Sequence, residues 1–276
     1  MATSAPLGYR ASDGAAYQVF LGRWTEVLAP VFLEFARISN DGDVLDVGCG
    51  TGSLAAEIAR RGPDRRVIGL DVAEPYLTYA RAQHALPNLH FELGDAGLLP
   101  FADGAFAASL AQLVLTFVPN PEQVAAEMVR VTRPGGVVAS AVWDFCGGLV
   151  YQRILWDTAA ALDPEAGRTR DRLFSNPLST PEGLRRLWHT AGLADIEIGS
   201  LTIRMDYANF DDYWEPLFGG QGPVGTFAAG LSPDARQQLK TVRCVSMWSA
   251  GRASFAHCHS LGNPRTSQQH IACSQP

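Results

Sequence analysis

Three acidic residues and one glycine run carry most of the chemical information in this chain. In "VLDVGCGTGSLA" (44–55), Asp46 stands two residues before Gly48, and Gly50 and Gly52 follow at alternate positions. Glycines let a backbone approach a ligand without Cβ clash. A carboxylate beside such a loop repels a diphosphate and attracts a cationic amine. Asp71 closes "VIGLDV" 25 residues after Asp46, where a carboxylate can accept both hydroxyls of a ribose. Asp95, in "ELGDA", can meet an adenine amino group. The three acids form a line of acceptors suited to a nucleoside whose attached chain carries an ammonium and no phosphate. The competing pattern, the dinucleotide fingerprint G-x-G-x-x-G, needs a third glycine where this chain has Ser53.

The elements that must position these residues follow from periodicity. Apolar residues recur at helical spacing over 17–35, with Pro30 predicted to break or restart the helix. Strands are predicted at 44–47, 65–72, 88–93, 106–112 and 137–143, alternating with helices at 53–61, 74–84 and 122–132. Such alternation at short spacing means a parallel sheet covered on both faces, and right-handed crossovers make it doubly wound. Asp46, Asp71 and Asp95 then share the carboxyl edge of the sheet, where open α/β sheets bind ligands. Beyond Asp144 a helical excursion leads to a helix in "TPEGLRRLWHTAGL" (180–193), capped by Thr180 and closed by Gly192, and to a sixth strand over 194–205. The expected fold is α/β, a mostly parallel Rossmann-like sheet of six or seven strands with a helical lid. The expected division is a flexible arm (1–14), a main domain (15–243, with a cofactor-binding core over 15–145 and a lid with strand six over 146–230) and an atypical, poorly ordered tail (244–276).

Totals exclude several classes. A net charge of −6 argues against a nucleic-acid backbone as partner. No run approaches the ~18 uninterrupted apolar residues of a spanning helix, and the N-terminus lacks the charged start and apolar middle of a signal peptide. Five cysteines without CxxC or zinc spacing place the chain in a reducing cytoplasm and predict no metal.

With these residues in view, the chain resembles the class I S-adenosylmethionine-dependent methyltransferases, within the group similar to the ubiquinone and menaquinone biosynthesis enzymes. The carriers are "VLDVGCGTGSLA", "VIGLDVAEPYLTYAR", "GDAGLLPFADGAF" and "VTRPGGVV", and the likeness covers about residues 15–145. The resemblance implies that Asp46, Gly48, Gly50 and Gly52 hold the methionine part, Asp71 with Val72 beside it the ribose, and Asp95 with Ala96 the adenine. It places Gln112 on the methyl-facing side. It implies S-adenosylmethionine as cofactor and a small-molecule methyl acceptor. The chain departs from the pattern at Phe106-Ala107, where the family usually has an aspartate, and at its end. There the family slots an antiparallel seventh strand between the fifth and sixth, for which the only candidate read here is 253–257.

A helix containing "YQVFLGRWTEVL" is expected to cross the cofactor mouth, with Tyr17 packing and Arg23 meeting the methionine carboxylate; simple cover of the sheet by Phe20 and Trp24 is the alternative. Candidate general bases are Asp144, Tyr151, His189 and Tyr207, with none chosen, and for His189 a helix C-terminal charge is preferred. Trp143, Tyr213, Trp214 and Phe218 are candidate lining for an acceptor pocket. The tail holds no acid after Asp234 yet three of the five cysteines and three of the six histidines. It reads as a loose tail, as a Cys/His site at His257, Cys258 and His259, or as a sequence not selected to complete the fold. Two further functions stand beside methyl transfer: an inactive cofactor-binding relative and an NAD-dependent oxidoreductase.

Overall fold

The computed structural model describes residues 11–145, 147–249 and 266–275, with side chains described through residue 242. Seven strands form one sheet: β1 (Val44–Val47), β2 (Val67–Asp71), β3 (Leu89–Leu93), β4 (Phe106–Gln112), β5 (Thr132–Trp143), β6 (Asp195–Arg204) and β7 (Thr266–Gln275). Their order is β3-β2-β1-β4-β5-β7-β6. β1 pairs in parallel with β2 and β4, and β7 runs antiparallel between β5 and β6. The seventh strand is therefore Thr266–Gln275 and not 253–257, which lies outside the described residues, as do His257, Cys258 and His259. "TSQQHIACSQ" carries little apolar alternation. Its two neighbours select it, because an unfilled gap would leave the backbone groups of both β5 and β6 without ladder partners.

Helices cover both faces: α1 (Gly14–Tyr17), α2 (Arg23–Ala36), α3 (Ser53–Arg61), α4 (Glu74–Gln83), α5 (Pro121–Val131), α6 (Val150–Leu162), α7 (Pro164–Phe174), α8 (Pro181–Thr190), α9 (Phe210–Trp214), α10 (Gly222–Ala229) and α11 (Pro233–Ser249). One apolar layer joins Leu28 and Phe32 of α2 and Ile58 of α3 to Val44 and Leu110. The other joins Met128 of α5 and Trp188 of α8 to Leu45, Ile68 and Val138. β1 is buried at all four positions, as a central parallel strand must be. Truncating Phe32, which is fully buried, would cost about 3–5 kcal/mol.

The N-terminal helix differs from its forecast in an informative way. Pro30 does not interrupt α2, which runs through it to a left-handed stop at Arg37. One lost hydrogen bond is tolerated there because Leu28, Ala29, Phe32 and Leu33 are buried around it. The irregularity lies earlier: Gln18–Gly22 form a turn of π-helix between α1 and α2. Of the expected flexible arm, the described residues Ser12 and Asp13 are held in place. Asp13 caps α1 by accepting from Ala15 and Ala16 N–H, and the Ser12 N–H donates to Gln221 Oε1. Thr180 caps α8 as expected, accepting from Gly183 N–H. Among the described residues no helix is long and apolar enough to cross a membrane.

Candidate functional site

The strand order reverses at β1, with β2 on one side and β4 on the other. The carboxyl ends of β1 and β4 therefore diverge into a crevice at the topological switch point. Asp46 of β1 and Gln112 of β4 both line a cavity of about 280 Å³ there, together with Gly48, Gly50, Thr51 and Ser53. Tyr17 and Thr25 close that cavity from the N-terminal helix. The π turn lies between them, which fits the association of such turns with functional sites.

The three glycines serve two purposes. All have positive φ: 70° at Gly48, 55° at Gly50 and 86° at Gly52. A Cβ on Gly48 would lie 2.5 Å from Val114, and one on Gly52 would lie 2.7 Å from Phe91, so these two are demanded by packing. A Cβ on Gly50 would meet nothing within 4 Å. Its open side is space for a ligand.

Asp46 is 1% exposed. One carboxylate oxygen accepts from Ala55 N–H at 3.0 Å, while the other is buried without a partner among the described residues. Burial, with Asp71 nearby, pushes its pKa up to about 8, against the lowering effect of the Ala55 hydrogen bond. A buried acceptor left open in a cradle calls for a cationic donor. Gln112 repeats the pattern: Nε2 donates to Thr25 C=O at 3.1 Å and Oε1 is buried without a partner among the described residues. Asp71 is half-buried at the end of β2 and is not among the residues lining the cavity; it accepts from Gly50 and Ala73 N–H at 2.8 Å each. Burial raises its pKa, and those backbone donors oppose the rise. Val72 beside it is 76% exposed. Asp95 uses one oxygen on its own turn, accepting from Gly97 N–H, with Ala96 half-buried next to it.

Ser53 answers the dinucleotide question. Its Oγ lies 2.8 Å from Thr25 Oγ1, whose hydroxyl also bonds Gly22 C=O, so this side chain ties the glycine loop to the N-terminal helix. A glycine there could not. Cys49 in the same loop is a buried free thiol pushed well up by burial, Asp71 and Asp46, and it stays protonated.

Arg23 does not go where it was expected. Its guanidinium bonds Asp212 Oδ1 at 2.7 Å and Asp212 C=O, and it lies over the rings of Trp24 and Tyr207. Against the upward push of burial, the Ala208 N–H and this ion pair hold the Asp212 pKa below its ordinary value. Tyr17 instead marks a boundary, its ring 4.8 Å from that of Tyr76. It lines the polar cradle and also a second, apolar cavity of about 440 Å³. That cavity is walled by Phe20, Leu113, Phe117, Trp143 and Phe145, with Leu173 and Val224 also on its wall.

Of the four aromatic residues forecast for an acceptor pocket, only Trp143 lines it. Tyr213 and Trp214 are buried core, and Phe218 packs on Trp214 under the Arg236 guanidinium. Gly222, Pro223 and Val224 of α10 complete the wall of that cavity. Burial raises the pKa of both Tyr151 and Tyr207, which removes them as bases. His189 is exposed in the last turn of α8, and Asp144 accepts from Gly147 N–H in a turn.

Sequence reasoning missed Thr25, Thr51, Leu113 and Gln152. Thr25 had a legible signal, a hydroxyl spaced along the helix from Tyr17 by two turns within an apolar stripe. Leu113 had none. It is a non-glycine residue at φ 66°, buried directly after Gln112, a strain of order 1–3 kcal/mol of the kind that gathers at functional sites. Among the described residues no group of three or more His, Cys, Asp or Glu could hold a metal.

The family model for a methyltransferase domain matches residues 45–140, from β1 through most of β5. Trans-aconitate 2-methyltransferase of Deinococcus radiodurans is 35% identical over 156 residues, 55% of this chain and 58% of that protein. This chain thus spans little more than half the length of that relative. Demethylmenaquinone methyltransferase of Beutenbergia cavernae is 35% identical over 171 residues, 58% of this chain and 68% of that protein. Among solved structures, phosphoethanolamine N-methyltransferase 2 of Haemonchus contortus shares the fold with a TM-score of 0.55 at 16% identity, covering 95% of this chain and 56% of that one. The [4+2]-cyclase SpnF shares it with a TM-score of 0.54 at 20% identity, covering 97% and 86%. With the glycine cradle, the acidic strand ends and these relatives together, this chain belongs to the class I S-adenosylmethionine-dependent methyltransferases.

Proposed function

We propose that this protein transfers a methyl group from S-adenosylmethionine to a small organic acceptor held in the apolar cavity beyond Tyr17. The observation that carries the reading is the pairing of two cavities through one residue: a polar cradle with an open carboxylate, and an apolar pocket sharing Tyr17 with it. The chain's residues fit the cofactor. Asp46, through its unpartnered oxygen, and the open side of Gly50 would hold the methionine part, with Gly48 and Gly52 shaping the loop. Asp71 and Val72 would hold the ribose, and Asp95 and Ala96 the adenine.

Bound there, S-adenosylmethionine supplies a methyl on a positively charged sulfur, so that the carbon–sulfur bond breaks as the acceptor's lone pair bonds the carbon. The protein's part is to hold acceptor and methyl in line, which can contribute about 7–11 kcal/mol. Tyr17, Leu113 and Gln112, where the two cavities meet, would fix that approach and keep water out. The acceptor's proton passes to solvent, since the buried phenols are too weakly acidic to serve as bases and no other base faces the cavity among the described residues. The free, buried Cys49 suits a reducing cytoplasm, where we place the protein.

One other reading has specific support. The likeness to a cyclase allows a cofactor-binding relative that does not transfer methyl groups. Trans-aconitate is a tricarboxylate, but no basic side chain lines the apolar cavity, which disfavours that acceptor. An NAD-dependent oxidoreductase is disfavoured by Ser53 and by the open Asp46 carboxylate. Calorimetric titration with S-adenosylhomocysteine and with NADH, followed by labelled methyl transfer to a panel of phenols, amines and carboxylic acids, separates these cases. Cofactor binding with no transfer to any acceptor would favour the cyclase-like case.

A further inference from the structure

The apolar cavity contains one polar feature that the cofactor reading does not use. Gln152, on α6, is 5% exposed and lines the cavity among Phe117, Phe145 and Leu173. Its Nε2 donates to Tyr151 Oη at 3.0 Å, and its Oε1 has no hydrogen-bond partner among the described residues. Burying an amide in an apolar wall is unfavourable unless its atoms are satisfied. Here one end of the amide is fixed and the other is left to the cavity.

The fixed end is itself anchored. Tyr151 is buried between the rings of Tyr207 and Tyr213, at centroid distances of 6.1 Å to each. Tyr207 lies in turn under the Arg23 guanidinium, which Asp212 holds. With Nε2 on the Tyr151 hydroxyl, the Gln152 amide turns its carbonyl oxygen to the cavity as an acceptor. The charges near the cavity are already engaged. Arg23 is paired with Asp212, and Asp144, between the lining residues Trp143 and Phe145, accepts from Gly147 N–H. No Lys, Arg or His lines the space.

We infer that Gln152 is the specificity-determining residue of the acceptor cavity, and that its Oε1 selects a neutral, largely apolar acceptor bearing one hydroxyl or N–H group. This rests on the methyltransferase reading and names its substrate class. A carboxylate acceptor would enter without a counter-charge and face the Gln152 carbonyl dipole, which repels it. Tyr151 is a positioning residue that acts through Gln152.

The test uses the full chain with saturating S-adenosylhomocysteine and three probes of one shape, measured by calorimetry: 2-naphthol, 2-naphthoate and 2-methoxynaphthalene. The unmodified protein is expected to bind 2-naphthol at least about 10-fold tighter than 2-naphthoate, because the anion is buried unpaired. Gln152→Met should weaken 2-naphthol about 5- to 10-fold, one net hydrogen bond, and change 2-methoxynaphthalene less than about 2-fold. Tyr151→Phe should reduce the same discrimination more weakly. A merely structural loss would weaken both neutral probes alike. Affinity for S-adenosylhomocysteine should be retained in both variants, which checks folding. Naphthoate binding as tightly as naphthol, equal loss of both neutral probes in Gln152→Met, or no saturable binding of any probe would overturn the inference. Failure of the unmodified protein to bind S-adenosylhomocysteine would instead overturn the methyltransferase reading beneath it.

Discussion

The cradle and the apolar cavity meet at Tyr17 but are built in opposite ways. The cradle is made largely from one stretch of chain: Asp46, Gly48 through Thr51, Ser53 and Leu54 are near neighbours in sequence, and backbone geometry does most of the shaping. The apolar cavity collects side chains from α1 and its π turn, the ends of β4 and β5, α6, α7 and α10. A ligand common to a family can be held by a local motif. A variable acceptor is met by a surface that each chain assembles from distant pieces.

The largest effect that would break this comparison is at Asp46. Asp46→Asn should weaken S-adenosylhomocysteine by about 100-fold or more, roughly the 2–5 kcal/mol of removing one partner of a buried charged pair. The same change should stabilise the ligand-free protein. The folded pKa of Asp46, about 8, is raised above its unfolded value, so the stability of the unmodified protein is fully present below about pH 4 and is lost as the pH rises through 8. The advantage of the Asp46→Asn variant over the unmodified protein should be near zero at about pH 4 and greatest above about pH 8, at roughly 1.4 kcal/mol for each pH unit between the two titrations. Denaturant unfolding of the free protein at both pH values measures it. Equal stability gains at both values would show that Asp46 is not held protonated by burial.

A smaller effect separates the glycines. Gly50→Ala should cost about 1–2 kcal/mol of stability for its left-handed φ, yet lower cofactor affinity about 10-fold or more by filling the ligand's space. Gly48→Ala should show the reverse balance, losing more stability because its Cβ would meet Val114. Unfolding midpoints and calorimetric affinities for the two variants give the contrast. Identical profiles would dissolve the distinction between a ligand glycine and a packing glycine.

How far the sequence could be read follows the same divide. The five parallel strands, the acids at their ends and the cap at Thr180 were legible because local periodicity and motif spacing decide them. Strand β7 was not, since a polar segment between two waiting strand edges owes its place to its neighbours and not to its own pattern. The Arg23 ion pair was not legible for a related reason: its partner, Asp212, lies 189 residues away, beyond any spacing argument. Pro30 sat inside a helix because burial around it outweighed one missing hydrogen bond. Gln152 carries no local signal, since it is the fold that turns it inward.

The smallest expected effect concerns Arg23. Its pair with Asp212 is partly exposed, so Arg23→Met should cost about 0–1 kcal/mol of stability. Affinity for S-adenosylhomocysteine should stay within about 2-fold, because the guanidinium is engaged away from the cradle. A loss of about 10-fold or more on titration would restore Arg23 to the methionine carboxylate.

The most direct measurement is the proton balance of cofactor binding. Burial pushes the Asp46 pKa up to about 8, so on the proposed reading its carboxyl is expected to give up a proton at pH 7 when it meets an ammonium. Titrating S-adenosylhomocysteine in two buffers of different ionisation enthalpy should show one-to-one binding with close to one proton released, and Asp46→Asn should abolish that release. Tight binding with no proton released, or uptake of NADH in place of S-adenosylhomocysteine, would contradict the assignment of the open carboxylate to a cationic amino-acid group.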